Sequence, residues 1–294
     1  MPSPAFRHAY KRVNGVRLHY VTLGATTGPN RKPLAMFLHG FPQNWYCWRK
    51  LMPLLADRYT CVAPDLRGFG DSQKPKSGYD KTTVATDIVE LGRALGYERG
   101  LVIGQDWGGR TAWRIALDHP AFVEALVVMS APYPLLRGER PFNPEIWYTR
   151  FFLIKGLSER MLRGNLGELA KHFCLRWSYK KHYTKADLAE YARAYSTPRA
   201  LEGTLGHYRL LDWEQQNLWP KDAGRMVETP TLYMGGEKDP VSVFRNSDGI
   251  HRYVRDLRTA MVKGSGHFIQ EESPREVARE IKSFLDWIRE RPEK

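Results

Sequence analysis

The stretch Gly104-Gln105-Asp106-Trp107-Gly108 lies between an apolar run, Leu101-Val102-Ile103, and a helical pattern that begins at Gly109. An apolar strand, then Gly-x-nucleophile-x-Gly, then a helix is the pattern of a nucleophile elbow. In such an elbow a sharp turn exposes one side chain at the carboxyl end of a sheet. The sequence therefore predicts that Asp106 is exposed there as a nucleophile.

An aspartate at this position predicts a particular chemistry. Unlike a serine hydroxyl, a carboxylate at neutral pH has already lost its proton and can attack without a base. Its natural target is an alkyl carbon, and displacing an epoxide oxygen or a halide leaves an alkyl ester that water must then cleave. A histidine is needed only for that second step. An Asp between glycines is also a common N-cap or turn residue, so the motif alone is a weak signal.

The size and charge of the chain limit the classes of protein it can belong to. Its 294 residues are 42% hydrophobic, which suits one large α/β core with an inserted subdomain or two modest domains. The formal net charge of +13 raises the question of a nucleic-acid partner. The densest basic cluster, Tyr179 to Lys185, matches no nucleic-acid motif, and we expect it to form a solvated helix face or loop. We therefore predict no nucleic-acid partner.

The sequence lacks the segments and cysteine spacings that would indicate secretion, a membrane location or disulfide bonds. The first residues contain no apolar signal region, and no stretch approaches the roughly 18 apolar residues of a membrane helix. We therefore predict a cytoplasmic protein with no membrane partner. Cys47, Cys61 and Cys174 are odd in number and have no Cys-x-x-Cys spacing, so we expect neither a disulfide framework nor a metal site.

Strand and helix patterns alternate along most of the chain. This alternation predicts an α/β fold with a mostly parallel, doubly wound sheet that begins with an antiparallel hairpin at Asn14-Gly15. The predicted strands are 9–13, 16–23, 34–38, 60–63, 101–103, 125–129, 231–234 and 258–262. The predicted helices outside the insertion are 45–55, 81–95, one from 109 to the Asp118-His119-Pro120 stretch, and 274–289.

One segment departs from the alternation. Residues 132–220 have helical stretches rich in Tyr and Trp but no convincing buried strand. We predict that they form an α-helical cap inserted between two parts of the core, 1–131 and 221–294.

Three titratable groups follow predicted strands in the order Asp106, Asp239, His267. Nucleophile, acid, histidine is the chain order of the α/β-hydrolase triad. The loop that begins at His39 also follows a buried strand, and Gly40 allows close backbone approach there, so the amide of Phe41 is a candidate oxyanion donor.

With these residues the chain resembles an epoxide hydrolase of the α/β-hydrolase superfamily over nearly its whole length. The stretch His39-Gly40-Phe41-Pro42 is similar to the family's oxyanion motif, in which the peptide bond before Pro42 is expected to be cis. Residues 65–72 match its Asp-Leu-Arg-Gly-x-Gly-x-Ser stretch, and 104–109 match its nucleophile motif. Gln105 replaces the usual His, and the resemblance implies that this side chain points away from the reacting face.

The resemblance also implies two tyrosines in the cap that hold and protonate the epoxide oxygen. One occurs in the family in a Trp-Tyr-x-x-Phe context and matches Tyr148, and the other precedes an Arg and matches Tyr208. A departing alkoxide is a poor leaving group, and a positioned acid contributes roughly 10² to 10⁴ in rate. Tyr183 and Tyr191 remain alternatives to Tyr208.

The reaction that the resemblance implies needs no cofactor. Asp106 opens an epoxide at carbon while Tyr148 and Tyr208 donate to its oxygen. His267, oriented by Asp239, then activates a water that cleaves the ester and releases a vicinal diol. The backbone amides of Phe41 and Trp107 would stabilise the oxyanion, and the partners are a small epoxide and water.

Two other functions remain open at this stage. The first is a haloacetate or haloalkane dehalogenase with the same Asp nucleophile. Arg110 favours a dehalogenase, because haloacetate dehalogenases carry an arginine at that position. Trp107 disfavours a haloacetate dehalogenase, because those enzymes have an arginine directly after the nucleophile. The second is a non-catalytic ligand receptor on the same fold. Whether the protein is a monomer or a homodimer is also open.

Overall fold

A single mixed sheet of eight strands forms the centre of the molecule. The computed structural model describes residues 5–28, 31–139, 143–242 and 249–291. A few residues of each predicted segment, 1–131, 132–220 and 221–294, therefore lie outside the described residues. The strand order in the sheet is β1-β2-β4-β3-β5-β6-β7-β8. The strands are β1 (Arg7–Val13), β2 (Val16–Leu23), β3 (Leu34–Leu38), β4 (Thr60–Pro64), β5 (Gly100–Gln105), β6 (Val123–Met129), β7 (Thr231–Gly236) and β8 (Leu257–Val262).

The sheet confirms the predicted hairpin followed by parallel strands. β1 and β2 pair in antiparallel fashion, and Asn14 and Gly15 at their turn have φ values of 43° and 73°. Positive φ at both central residues is the requirement of the two-residue turn that Asn-Gly favours. β2 pairs antiparallel with β4, and all other neighbouring strands are parallel.

Helices cover both faces of the sheet and also lie between β6 and β7. Those of the core are α1 (Met52–Leu55), α2 (Lys81–Ala94), α3 (Trp107–Asp118), α10 (Ile269–Glu272) and α11 (Pro274–Arg289). Between β6 and β7 lie α4 (Trp147–Phe151), α5 (Leu157–Leu162), α6 (Leu166–Arg176), α7 (Lys185–Tyr195), α8 (Ala200–Arg209) and α9 (Leu211–Trp213). In the described part of 132–220, no residue belongs to a strand. We call 132–220 the cap segment.

Two apolar clusters explain why the sheet is buried on both faces. Buried residues of α2 and α3, such as Ile88 and Ile115, belong to one cluster. Those of α1 and α11, such as Leu55 and Ile281, belong to the other. No helix in the described ranges is long and apolar enough to cross a membrane.

Two predicted helix bounds were wrong. Residues 45–55 form a 3-10 turn, Trp45–Trp48, and then the separate short helix α1. Pro53, which has no backbone N–H, occupies the first turn of α1, a position that favours starting a new helix over continuing an old one. α3 begins at Trp107, two residues earlier than predicted, because the elbow passes directly from the strand into the helix.

Candidate active site

Asp106 occupies the tip of the turn between β5 and α3. Its backbone has φ 51° and ψ −115°, and its side chain makes no N-cap hydrogen bond. A non-glycine residue at such φ and ψ costs about 1–3 kcal/mol and persists only where the surroundings impose it. The Asp106 Oδ1 atom instead accepts the Phe41 backbone N–H at 2.9 Å. The alternative of a simple capping aspartate is therefore wrong.

The glycines around Asp106 are required by close packing of the backbone. A Cβ atom on Gly108 would lie 1.9 Å from the Leu38 carbonyl oxygen, and one on Gly104 would lie 2.3 Å from the Gly108 oxygen. A Cβ on Gly40 would lie 2.4 Å from the Cβ of Asp106. The elbow and the loop after β3 can approach each other this closely only without these side chains.

The loop after β3 has the predicted conformation. The peptide bond between Phe41 and Pro42 is cis. The buried side chain of Asp65 accepts the backbone N–H of Trp45 at 2.8 Å and that of Asp71 at 2.8 Å, so it joins this loop to the 65–72 stretch. Trp107 is the first residue of α3, and the first amides of an α-helix have no partner within the helix.

The structure brings Asp239 and His267 together with Asp106. His267 Nδ1 lies 3.1 Å and 3.0 Å from the two carboxylate oxygens of Asp239, which follows β7. Asp239 Oδ1 also accepts the backbone N–H groups of Val241 and Ser242, at 2.8 and 2.9 Å. A carboxylate bonded to Nδ1 fixes the ring so that Nε2 faces the other way. That atom lies 3.7 Å from Asp106 Oδ2.

The charges around His267 favour its protonated form. Burial lowers its pKa, but the carboxylates of Asp239 and Asp106 outweigh burial and raise the pKa of His267 to about 10. His267 is therefore an imidazolium between two carboxylates in the resting protein. Removing the charge of either carboxylate would lower this pKa.

Tyr148 of α4 and Tyr208 of α8 both reach the cavity above Asp106. Their side chains are buried, and the Tyr208 hydroxyl donates to the Tyr148 hydroxyl at 3.4 Å. Burial, followed by the charges of Tyr148 and Asp106, raises the pKa of Tyr208 well above its usual value. The phenol therefore stays protonated at neutral pH and is available as an acid.

The cavity between the core and the cap segment is small and has both polar and apolar walls. It measures about 110 Å³, and Asp106, Tyr148 and Tyr208 line it. Its apolar walls come from Ala131, Pro132, Pro134, Ile146, Leu211 and Val241. A surface groove of about 890 Å³ beside α11 is larger, but none of the predicted site residues lines it. The small cavity is the candidate active site because Asp106 and both tyrosines line it. His267 is not among its lining residues, but its Nε2 lies 3.7 Å from Asp106 Oδ2.

The alternative tyrosines have other partners. Tyr183 accepts a hydrogen bond from the Gln43 side-chain amide at 2.9 Å, and Tyr191 donates to Glu271. Neither residue lines the cavity that contains Asp106. Of the cap tyrosines that the sequence proposed, the structure brings only Tyr148 and Tyr208 to the nucleophile.

Arg110 lines the cavity and is bonded to a buried carboxylate that it shares with Lys81. Its guanidinium lies 3.2 Å from the carboxylate of Glu214, which is fully buried in a π-helical turn, Glu214–Leu218, of the cap segment. The same carboxylate accepts the backbone N–H of Lys81 at 2.9 Å, and the Lys81 ammonium lies 3.6 Å away. Glu214 and Lys81 could not be identified as site residues from the sequence, because nothing in a helical pattern indicates which acid or base becomes buried.

The carboxylate of Glu272, in α10, fixes the turn that carries His267. Glu272 accepts the backbone N–H groups of Gly266, Tyr179 and Lys180, at 3.0, 3.0 and 2.9 Å. The His267 backbone N–H in turn donates to the Trp177 carbonyl at 2.9 Å. The basic stretch from Tyr179 to Lys185 is thus a loop that ends at the first residue of α7 and anchors the cap segment to this turn.

Comparisons with known proteins show the family to which the chain belongs. The family model for the alpha/beta hydrolase fold matches residues 33–274. Human epoxide hydrolase 4 is 33% identical to the chain over 294 residues, which span 95% of this chain and 78% of that protein. The soluble epoxide hydrolase of Corynebacterium sp. strain C12 is 32% identical over 296 residues, which span 98% of this chain and 100% of that protein.

A solved structure extends the likeness to three dimensions. The epoxide hydrolase CorEH superposes with a TM-score of 0.85 at 30% identity, over 97% of this chain and 100% of that one. The mostly parallel sheet with its helices is therefore the predicted α/β-hydrolase fold, and the chain is a hydrolase. It belongs to the epoxide hydrolases of the α/β-hydrolase superfamily.

Proposed function

We propose that the protein hydrolyses an epoxide to a vicinal diol through an alkyl ester on Asp106. The observation that carries the proposal is a carboxylate, not a hydroxyl, at the elbow, with two buried phenols lining the same cavity. A carboxylate attacks an alkyl carbon without a base, and phenols supply the proton that an alkoxide leaving group requires.

In the first step Asp106 forms a bond to an epoxide carbon as the carbon–oxygen bond breaks. The Phe41 amide holds Oδ1 at 2.9 Å, which fixes the orientation of the carboxylate for attack. Tyr148 and Tyr208, whose hydroxyls are 3.4 Å apart, donate to the epoxide oxygen. The apolar walls favour an epoxide with an apolar substituent.

The second step follows from the change in charge. Ester formation neutralises Asp106, which is one of the two carboxylates that raise the pKa of His267. The pKa of His267 therefore falls, and the imidazolium can give up its proton, which restores the phenol that protonated the epoxide oxygen. The neutral imidazole then acts as a base toward water. Asp239 keeps the ring oriented, and the amides of Phe41 and Trp107 stabilise the tetrahedral oxyanion, at about 3 kcal/mol per donor.

The contacts of Arg110 disfavour a haloacid as the substrate. Its guanidinium is bonded to Glu214 at 3.2 Å, so a haloacid carboxylate would have to share this arginine with a buried carboxylate. A halide also leaves as a stable anion and needs no acid, whereas this cavity holds two. We therefore favour an epoxide over a haloacetate or a haloalkane.

Replacing His267 with Gln tests the two-step reaction. We expect the variant, incubated with styrene oxide, to gain the mass of the substrate, because alkylation needs no base and hydrolysis does. Asp106→Asn should show no prompt gain in mass. His251→Gln, at an exposed histidine, is the matched control and should turn over without accumulating an adduct. A folded His267→Gln protein that neither gains mass nor turns over any epoxide contradicts the proposal.

A further inference from the structure

The backbone carbonyl of His267 accepts two side-chain hydrogen bonds. The Gln105 Nε2 atom lies 3.3 Å from this carbonyl oxygen, and the Ser130 Oγ atom lies 3.2 Å from it. Because a carbonyl oxygen can only accept, the Gln105 amide and the Ser130 hydroxyl must both be donors. All three residues are buried. The two bonds therefore satisfy both lone pairs of an oxygen that is shielded from solvent.

The two donors lie side by side at the carboxyl edge of the sheet. Gln105 is the last residue of β5 and directly precedes Asp106, and Ser130 directly follows β6. Gln105 pairs with Met129 across these two strands. His267 instead follows β8, which is separated from β6 by β7. The two hydrogen bonds thus join the turn that carries the base to the strand end that carries the nucleophile.

Ser130 has a backbone conformation that serine rarely adopts. Its φ is 49°, in the left-handed region that favours glycine, and Asp106 has a similar φ of 51°. Such a conformation is costly and persists only where the surroundings impose it. The Ser130 backbone N–H donates to the Met234 carbonyl at 2.9 Å, while the hydroxyl donates to His267. The strained backbone therefore lies where it directs a hydroxyl at the turn of the base.

The Gln105 side chain is not among those that line the cavity. Its Oε1 atom is buried and has no hydrogen-bond partner among the described residues. A buried acceptor without a partner is costly, and an apolar side chain of the same size would avoid that cost. The amide N–H that donates to His267 is the polar contact that can offset it.

The contacts of His267 together fix the position of its ring. Its backbone N–H donates to the Trp177 carbonyl at 2.9 Å, its carbonyl is held by the two donors, and Nδ1 lies 3.0 Å from the Asp239 carboxylate. Nε2 is then left 3.7 Å from Asp106 Oδ2. A displacement of about 1 Å at a reacting group can cost about 10²-fold in rate, so these anchors matter for catalysis.

We propose that Gln105 and Ser130 are positioning residues that hold the imidazole of His267 in place for ester hydrolysis. This inference rests on the proposed epoxide hydrolysis. In that step the neutral imidazole takes a proton from water as the water oxygen bonds to the ester carbonyl carbon. The ester C–O bond then breaks, and the departing alkoxide takes a proton to give the diol. Because attack of Asp106 on the epoxide needs no base, the two residues act in the second step only.

A double-mutant cycle on ester hydrolysis tests the inference. Gln105→Met removes the amide at similar size, and Ser130→Ala removes the hydroxyl. Each single variant leaves one donor on the carbonyl, so we expect about 3-fold slower hydrolysis. The double variant leaves a buried carbonyl unpaired, and we expect hydrolysis to slow at least about 30-fold, which is more than the product of the two single effects. Alkylation by styrene oxide should stay within about 2-fold in all three variants.

Single-turnover kinetics followed by intact mass measures both steps, as the rates at which the ester appears and disappears. The fraction of enzyme present as ester during turnover should rise in the same order. Thr231→Ala is the matched control. It removes a buried hydroxyl that donates to the Thr229 carbonyl at 2.8 Å, at the amino end of β7, and should leave both steps within about 2-fold. If the double variant does not fold, the ester that accumulates in the two single variants decides.

The outcomes are distinguishable from a failure of the proposed reaction. An ester that forms but disappears at the native rate in these variants overturns the inference and leaves the reaction standing. Equal slowing of both steps also overturns it, because that is the result of a distorted pocket. So does a double-variant effect equal to the product of the single effects, because the two donors would then not share one atom. No ester on Asp106 with any epoxide would instead contradict the proposed function.

Discussion

Replacing Asp106 with Asn should lower the pKa of His267. The neutral amide has the shape of the carboxylate and the charge of the ester, so the variant imitates the electrostatics of the intermediate. In the native protein, burial opposes protonation, and Asp239 and Asp106 together raise the pKa from 6.5 to about 10. That difference corresponds to about 5 kcal/mol in favour of the imidazolium.

The distances indicate how much each of the two carboxylates raises the pKa of His267. Asp239 touches Nδ1 with both oxygens, at 3.1 and 3.0 Å, whereas Asp106 lies 3.7 Å from Nε2 and its side chain is 22% exposed. Asp239 is therefore the larger cause, and Asp106 the smaller. We expect the pKa to fall by at least about 1 in Asp106→Asn, which is about 1.4 kcal/mol, and to remain above the value of a free imidazole.

The titration can be followed directly by NMR of the histidine rings. The chain has nine histidines, and His267→Gln identifies the signal to follow. A His267 that titrates near 6.5 in the native protein would refute the electrostatic reasoning. So would the same pKa in the native protein and in Asp106→Asn, because ester formation would then not release the base.

Stability should change with pH in the same sense. The pKa of His267 in the folded protein lies above its value of 6.5 in an unfolded chain, so its charge stabilises the fold fully below pH 6.5. That stabilisation is lost as the pH rises through about 10. In Asp106→Asn we expect the loss of this stabilisation to be smaller and to be complete at a lower pH. The free energy of unfolding in urea, measured from pH 6 to 10, tests this.

Three further predictions concern the surroundings of the nucleophile. Tyr148→Phe should slow single-turnover alkylation while hydrolysis of a preformed ester stays nearly unchanged; equal slowing would make Tyr148 a packing residue. Glu272→Gln should lower the free energy of unfolding by about 1–3 kcal/mol and slow ester hydrolysis, because the buried Glu272 carboxylate accepts three backbone N–H groups that hold the His267 turn. Urea titration and single-turnover kinetics measure the two effects, and a variant that changes neither would contradict this role. Chloroacetate should release chloride orders of magnitude more slowly than epoxide forms diol, and fast release that Arg110→Ala abolishes would establish a haloacid site.

The elements closest to the nucleophile could be predicted from local sequence. The run Leu101-Val102-Ile103 is apolar without a break, and Gly104 and Gly108 bracket Asp106, so strand, turn and helix were each visible in a few residues. The order Asp106, Asp239, His267 then placed three groups at the same edge of the sheet. These inferences rest on patterns that extend over fewer than about ten residues and on the topology of parallel sheets.

The contacts between the core and the cap segment could not be predicted. Lys81 and Glu214 are 133 positions apart in the chain, and each reads as a polar residue of a helical stretch. Their burial is decided by how the cap packs on the elbow. The break near Pro53 was also missed, since the apolar spacing from 45 to 55 suits one helix, whereas the first turn ends at Trp48 and Pro53 occupies the start of a separate helix.

The fate of one water oxygen tests the central claim most directly. If Asp106 forms the ester and water then attacks its carbonyl carbon, a single turnover in ¹⁸O-water places the label in the Asp106 carboxylate. The diol from that turnover should carry no ¹⁸O from the solvent. Mass spectrometry of the peptide that contains Asp106 and of the diol measures both. Label in the diol and none in Asp106 after one turnover would mean that water opens the epoxide directly, and would contradict the account.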